Sequence, residues 1–241
     1  MSSGSSPFSL AIMSSRFVLI AVLYACLGLC AQMHAQSPLP SEVKNLSPDK
    51  KWEYDCPQSI EYECAPEVVK AGTNETVVDL DGDLNVYGKY SKRSNIAWAP
   101  DSKRFAFNFS QPAAHAFYET VAFYDLHGDK WEMLESLAKA NPISKAISKA
   151  ISGGLAVERT KKHIKAKATA ATEIVAKVHE WTDPDTVIVY AYEEDGEETG
   201  KTVRVDFLFT LKFDEAGKLK IVKTQQLSEE ESQKYQQDSQ N

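Results

Sequence analysis

Apolar positions change their spacing three times along this chain. An unbroken apolar run comes first, Phe17-Val-Leu-Ile-Ala-Val-Leu-Tyr-Ala-Cys-Leu-Gly-Leu-Cys-Ala31. After a Pro/Ser-rich linker, alternation with a period of two sets in, the mark of half-buried strands. Lys51–Asp55, Glu67–Lys70 and Thr76–Leu80 read as short strands, with Ala71-Gly-Thr-Asn74 as the turn between the last two. Asn95–Trp98 and the strongly alternating Arg104-Phe-Ala-Phe-Asn-Phe109 flank turn residues at Ala99–Lys103. Glu119–Asp125 and Lys130–Leu134 then form a hairpin around Leu126-His-Gly-Asp129.

The period next changes to a helical one. Asn141-Pro142 is a cap residue followed by the residue suited to the first helical position, and Ile143, Ile147 and Ile151 recur every fourth residue. Gly153-Gly154 is expected to stop this helix. A second amphipathic helix is expected from about Val157 to Val178, with Arg159, Lys161, Lys162, Lys165 and Lys167 around its first half. Strand patterning resumes in Thr186–Tyr192, Arg204–Phe213 and Leu219–Lys223, and the polar residues 229–241 are expected to be disordered.

Three segments share an arrangement: Ser47-Pro-Asp-Lys-Lys-Trp52, Trp98-Ala-Pro-Asp-Ser-Lys-Arg104 and Trp181-Thr-Asp-Pro-Asp-Thr186. Each has a Pro-Asp turn entering a strand that carries an aromatic, since Pro fixes φ at the second turn position and Asp accepts from the backbone. Pro48 to Pro100 spans 52 residues and Pro100 to Pro184 spans 84, and the excess of 32 approximates the helical segment. The second copy, Trp98 to Phe107, resembles the Trp-Ser-Pro-Asp-Gly-Lys signature of the TolB-like (PD40, WD40-like) propeller repeat, with Ser102 in place of glycine. From about Ser47 to Val222 the chain also resembles uncharacterised bacterial exported proteins that carry a single clear copy of that motif. The resemblance implies a mainly β fold of blade-like antiparallel units, incomplete as a propeller, with an inserted helical segment. The alternative is an α+β fold, a meandering antiparallel sheet packed by two helices. The organisation expected is residues 1–35 as signal peptide, 36–46 as linker, 47–228 as one domain and 229–241 as tail. Within the domain, units 47–134 and 181–223 enclose a helical insertion, 141–178.

Targeting changes this picture most. Arg16 before the apolar run, and small residues at its far end, are the parts of a cleavable signal peptide, and the run is short for a bilayer span. A periplasmic or secreted product is therefore expected, with no transmembrane span. Of 27 basic and 34 acidic residues, residues 1–35 remove one positive charge, leaving 26 − 34 = −8. That sign disfavours nucleic acid as a partner. Cys26 and Cys30 leave with the signal, so Cys56 and Cys64 are expected to pair as a disulfide in an oxidising compartment.

Catalytic chemistry finds little support. Asp79-Leu-Asp-Gly-Asp83 lacks the glycine and glutamate positions of a calcium loop and reads as an acidic β-turn. His115, His127, His163 and His179 show no metalloprotease or zinc-site spacing, and there is no nucleophile elbow or phosphate-binding glycine loop. No catalytic, cofactor or metal residue is assigned. The basic stretch 159–167 offers a membrane-surface contact, though its mostly alanine apolar face favours a solvated helix. Trp98, Trp131, Trp181 and Tyr190 are expected in the core or, at sheet edges, as interface anchors. The function expected is noncatalytic binding of a protein or cell-envelope component. The alternative is an exported hydrolase whose site assembles only in the fold, around groups such as Asp79, Asp101 or His179.

Overall fold

A computed structural model describes residues 46–56, 65–84, 94–113, 116–164, 174–196 and 202–238. Three antiparallel sheets follow one another along the chain, each a meander in which sequence neighbours pair. The first holds β1 (Trp52–Asp55), β2 (Glu67–Lys70) and β3 (Thr76–Asp79), and is followed by the short helix α1 (Leu80–Leu84). The second holds β4 (Asn95–Trp98), β5 (Arg104–Ala113), β6 (Ala116–His127) and β7 (Lys130–Ser136). Helix α2 (Pro142–Lys162) then leads to the third sheet, β8 (Ile174–Asp183), β9 (Thr186–Gly196), β10 (Thr202–Phe213) and β11 (Leu219–Gln226). Helix α3 (Glu229–Asp238) closes the described chain.

The second sheet is apolar on both faces. Phe105, Phe107, Phe109, Ala122 and Tyr124 pack with Trp52, Tyr54, Val68 and Val78 of the first sheet. Their neighbours Ala106, Val121 and Phe123 face the third sheet, among Val187, Val189, Phe209 and Leu211. The period of two in Phe-Ala-Phe-Asn-Phe thus puts large rings on one side and small groups on the other. Asn108 is the polar exception on the second side. Its Oδ1 accepts from the Val178 N–H at 2.8 Å and its Nδ2 donates to Asn95 Oδ1 at 2.8 Å, so the two sheets are joined by backbone as well as apolar contact.

The expected propeller-like assembly of blades is not formed, and no TolB-like repeat array exists among the described residues. Among the described residues the fold is α+β, with open, meandering antiparallel sheets of three, four and four strands packed by helices, which is the alternative architecture divided over three sheets. A closed ring requires each sheet to present a bare face to the next. Here Ile147, Ile151 and Leu155 of α2 occupy part of the third sheet's inner face, and Tyr235 of α3 stacks on Tyr190 of its outer face. The helices end the stacking.

The likeness among the Pro-Asp segments stops at the turns. In the first two, the Ser47 and Ala99 N–H groups donate to the Trp52 and Arg104 carbonyls at 2.9 Å each. Lys50 and Ser102 both lie at φ 60, the left-handed position where the repeat signature carries glycine. Pro184-Asp185 makes a two-residue hairpin instead, with Asp183 opposite Thr186. The turns are linked in space. The Asp49 N–H donates to Ser102 Oγ at 2.9 Å, and Arg104 donates to the Pro184 carbonyl at 3.1 Å while pairing with Asp125 and Asp185.

Four local expectations are corrected. Gly153-Gly154 does not end a helix, since α2 runs unbroken to Lys162 and is closed by His163 in the left-handed conformation. Gly154 is there for packing, because a Cβ on it would sit 3.1 Å from the Phe207 ring. The helix expected to reach Val178 is absent at its far end, where residues 174–178 belong to β8; Val175 and Val178 are β-branched and are better placed in a ladder. Asp79–Asp83 is not a β-turn, since Asp79 Oδ1 accepts from the Gly82 N–H at 2.9 Å and caps α1. Finally, residues 229–238 of the expected tail are helical, started by a capping box in which the Ser228 N–H donates to Glu231 Oε2 at 2.8 Å and the Glu231 N–H to Ser228 Oγ at 3.3 Å.

The expected Cys56–Cys64 disulfide falls partly outside the described residues. Cys64 lies outside the described residues, and no disulfide joins two described residues. The β1–β2 register is accounted for by its ladder and by the burial of Trp52, Tyr54 and Val68. The signal segment, most of the linker, His115, Lys165 and Lys167 also lie outside the described residues.

Candidate ligand cleft

The residues singled out in the sequence are not gathered into one site. Trp131 and Tyr190 are buried, and Trp98 and Trp181 are partly buried against the two cores. Trp98 and Trp131 join Trp52 and Phe105 in a ring cluster with centroids 4.9 to 5.8 Å apart. Trp181 stacks on Phe213 and donates its indole N–H to the Ala97 carbonyl at 3.0 Å. Trp98, Trp131 and Trp181 pack in or against the two cores, Tyr190 is buried on the outer face of the third sheet beside Tyr235, and the exposed large apolar side chains among the described residues are Val157 and Val222. Asp79 is used in its cap and Asp101 accepts from the Lys103 N–H within its turn, while His179 packs edge-on against Tyr235. No group of three or more metal-ligating side chains occurs among the described residues.

The densest polar cluster lies on the outer face of the third sheet. The Tyr190 hydroxyl donates to the buried Asp206 carboxylate, and Arg204 donates to both Asp206 and the Tyr190 oxygen while lying 3.7 Å above the Tyr192 ring. Burial pushes the Tyr190 phenol above its ordinary range, and its hydrogen bond to Asp206 adds to that shift. Burial works to lower the Arg204 guanidinium, but its bonds to Asp206 outweigh it and the net shift is upward. The Tyr190 phenol and the Arg204 guanidinium are thereby both held in their protonated forms. The arrangement secures a buried charge and offers no proton to exchange near neutrality.

Among the described residues, the concavity with an apolar floor suited to a ligand lies elsewhere, between the start of α2, the end of β7 and the start of β8. It encloses about 640 Å³, and Leu137, Ala138, Ile147, Ile174 and Ala176 line it. That volume is within the range of small-molecule sites, roughly 300–1,000 Å³. Asn141, next to the lining residue Ala140, caps the helix that forms one side of the concavity. The Asn141 side-chain Oδ1 accepts from the Ser144 N–H at 2.7 Å, and its Nδ2 donates to Glu135 Oε1 and to the Ser136 carbonyl, which ties the start of α2 to β7. At the rim stand Lys139, Lys145 and Lys149, all exposed and without an ion pair among the described residues. One acidic side chain lines the cleft, Glu119, and it is held by Lys177 at 2.7 Å.

The sequence carries a signal for this lining beyond the isoleucine spacing. Ile143-Ser-Lys-Ala146 is repeated as Ile147-Ser-Lys-Ala150. Residues four apart share one side of a helix, so the repeat sets an isoleucine row toward the sheet and a lysine row on nearly the opposite side, with Ser144 and Ser148 between the two along the cleft. A period-four reading of the isoleucines alone finds the first row and misses the second.

The basic stretch after it is partly consumed within the fold: Arg159 donates its Nε to the buried Asp195 at 2.7 Å. No helix among the described residues is long and apolar enough to cross a membrane. No protein-family model matches the chain, and no curated protein and no solved structure matches it. The reading of its function therefore rests on this geometry.

Proposed function

We propose that this is a noncatalytic binding protein of the periplasm or extracellular space, and that it takes up a cell-envelope component in the cleft between α2 and β8. The observation that supports this reading is the lining: an apolar floor under a polar rim, with its one carboxylate already neutralised by Lys177. Such a lining holds a ligand by area and by a few oriented polar contacts. Hydrolysis would need a nucleophile and a base within reach of each other, and among the described residues the cleft's serines and lysines have no titratable partner that activates them. Export is supported by the Arg16-preceded apolar run of residues 17–31.

The test is to express the full chain with its own leader, recover the exported protein, and extract and identify what co-purifies by mass spectrometry. A bound envelope component is expected in the unaltered protein, and its loss in Ser148→Trp, which fills the cleft from α2. Retention of the component in Ser148→Trp, or turnover of it by the unaltered protein, would overturn the reading.

A further inference from the structure

We infer that the ligand of this cleft is a single-chain anionic amphiphile of the fatty-acid class, with its chain on the Ile147–Ala176 floor and its carboxylate at the lysine rim. The inference rests on the cleft reading and deepens it. Its first support is charge. The full chain carries a net −7, yet the rim of this one apolar cleft is cationic. Three lysines and one glutamate line it, and the glutamate is paired with Lys177, which leaves Lys139, Lys145 and Lys149 uncompensated among the described residues. The local sign therefore opposes the global one, as expected of a place that receives an anion.

The second support is the division of the lining. Buried Ile147 and Ala176, with half-buried Leu137 and Ile174, offer methyl and methylene surface. The charged atoms belong to long, exposed side chains that carry an ammonium out to the water line. A ligand that matches both halves is apolar along its length and negative at one end. Lysine also fits the headgroup better than a guanidinium would here, because a mobile point charge follows a carboxylate whose depth varies with chain length. A wholly polar anion would leave the floor wet, and a neutral chain would leave the rim unused.

Titration calorimetry on the full-length protein tests this, with laurate, dodecanol, dodecyltrimethylammonium and a lysophosphatidylglycerol of the same chain length, each below its micellar concentration. Laurate is expected to bind one to one, and decanoate more weakly by about fifteenfold, since each buried methylene is worth about a fourfold change. The triple variant Lys139→Gln/Lys145→Gln/Lys149→Gln is expected to lose about tenfold in laurate affinity, the scale of several exposed ion pairs, with dodecanol binding unchanged. Raising the salt concentration on the unaltered protein should weaken laurate and spare dodecanol, an independent reading that needs no variant. If laurate, dodecanol and the cation bind alike and all are lost in Ser148→Trp, the cleft stands and the anionic class is overturned. If the lysophospholipid alone binds, the carboxylate assignment is overturned in favour of a phosphate headgroup. If none binds, both the ligand class and the cleft as a binding site are overturned.

Discussion

At the scale of single residues, two adjacent glycines of α2 carry opposite meanings. A Cβ on Gly153 would meet nothing within 4 Å, whereas one on Gly154 would meet the Phe207 ring at 3.1 Å. Gly153→Ala is expected to raise stability by about 0.5–1 kcal/mol, through helix propensity and a less free unfolded chain. Gly154→Ala gains the same propensity but must displace a buried ring, so it should fall below the unaltered protein by about 1 kcal/mol or more. Urea melts of the two variants check both signs. Buried tyrosines set a second expectation. Burial raises the phenols of Tyr54, Tyr124 and Tyr190 well above their usual 10.0, with the nearby Asp55, Asp83 and Asp206 carboxylates adding to it. A folded-state pKa above the unfolded value gives stability that is complete below pH 10 and is lost as pH rises past it, because the unfolded phenols then ionise and the folded ones do not. Melting temperature is therefore expected to fall steeply above about pH 10, and Tyr190→Phe should make the decline shallower.

Among the elements, α3 carries one large apolar side chain, Tyr235, in the run Glu229–Asp238. Tyr235 is half-buried between Tyr190 and His179, with ring centroids 5.6 and 4.7 Å away. Ser228→Ala removes half of its capping box and is expected to cost about 1 kcal/mol, read as faster amide exchange confined to α3 and the strands beneath it. An unchanged exchange pattern would count against α3 as a docked element. The strands are legible in the sequence because alternation, aromatic content and turn chemistry agree there, as in Arg104–Phe109 and the Gly128 hairpin. The helix ends are less so. Gly154 reads as a stop because its reason for being small is a ring some fifty residues onward, Phe207, that no local pattern contains. Ser228-Glu-Glu-Glu231 carries a legible cap, but the low apolar content of residues 232–241 outweighs it, and their one useful ring is Tyr235. Of the cleft, the isoleucine floor can be read from the sequence. Its far wall, Ile174 and Ala176, falls where the spacing suggests a helix, which hides its place opposite that floor.

For the whole molecule, the interface between the second and third sheets is held at few polar points. Asn108 is buried, and its side chain is the acceptor for the Val178 N–H. Asn108→Ala should strand that buried N–H and cost about 1–3 kcal/mol, seen as a shift of one cooperative urea transition; a split into two transitions would show that the sheets unfold separately. The meander order has a further consequence, for assembly in time. Every ladder joins strands that are also successive in sequence. The length of chain closed at each step is thus short, which keeps closure entropy low and pairing fast. A chain released from its N-terminal end can complete the first two sheets while residues 174–213 are still being supplied. Through that interval Ala106, Val121 and Phe123 have no cover, because the rings and aliphatic groups that bury them, Phe209, Leu211 and Phe213 among them, come last. A product truncated before β8 would keep two well-formed sheets and a permanently bare apolar face, and would be lost to aggregation more readily than to unfolding.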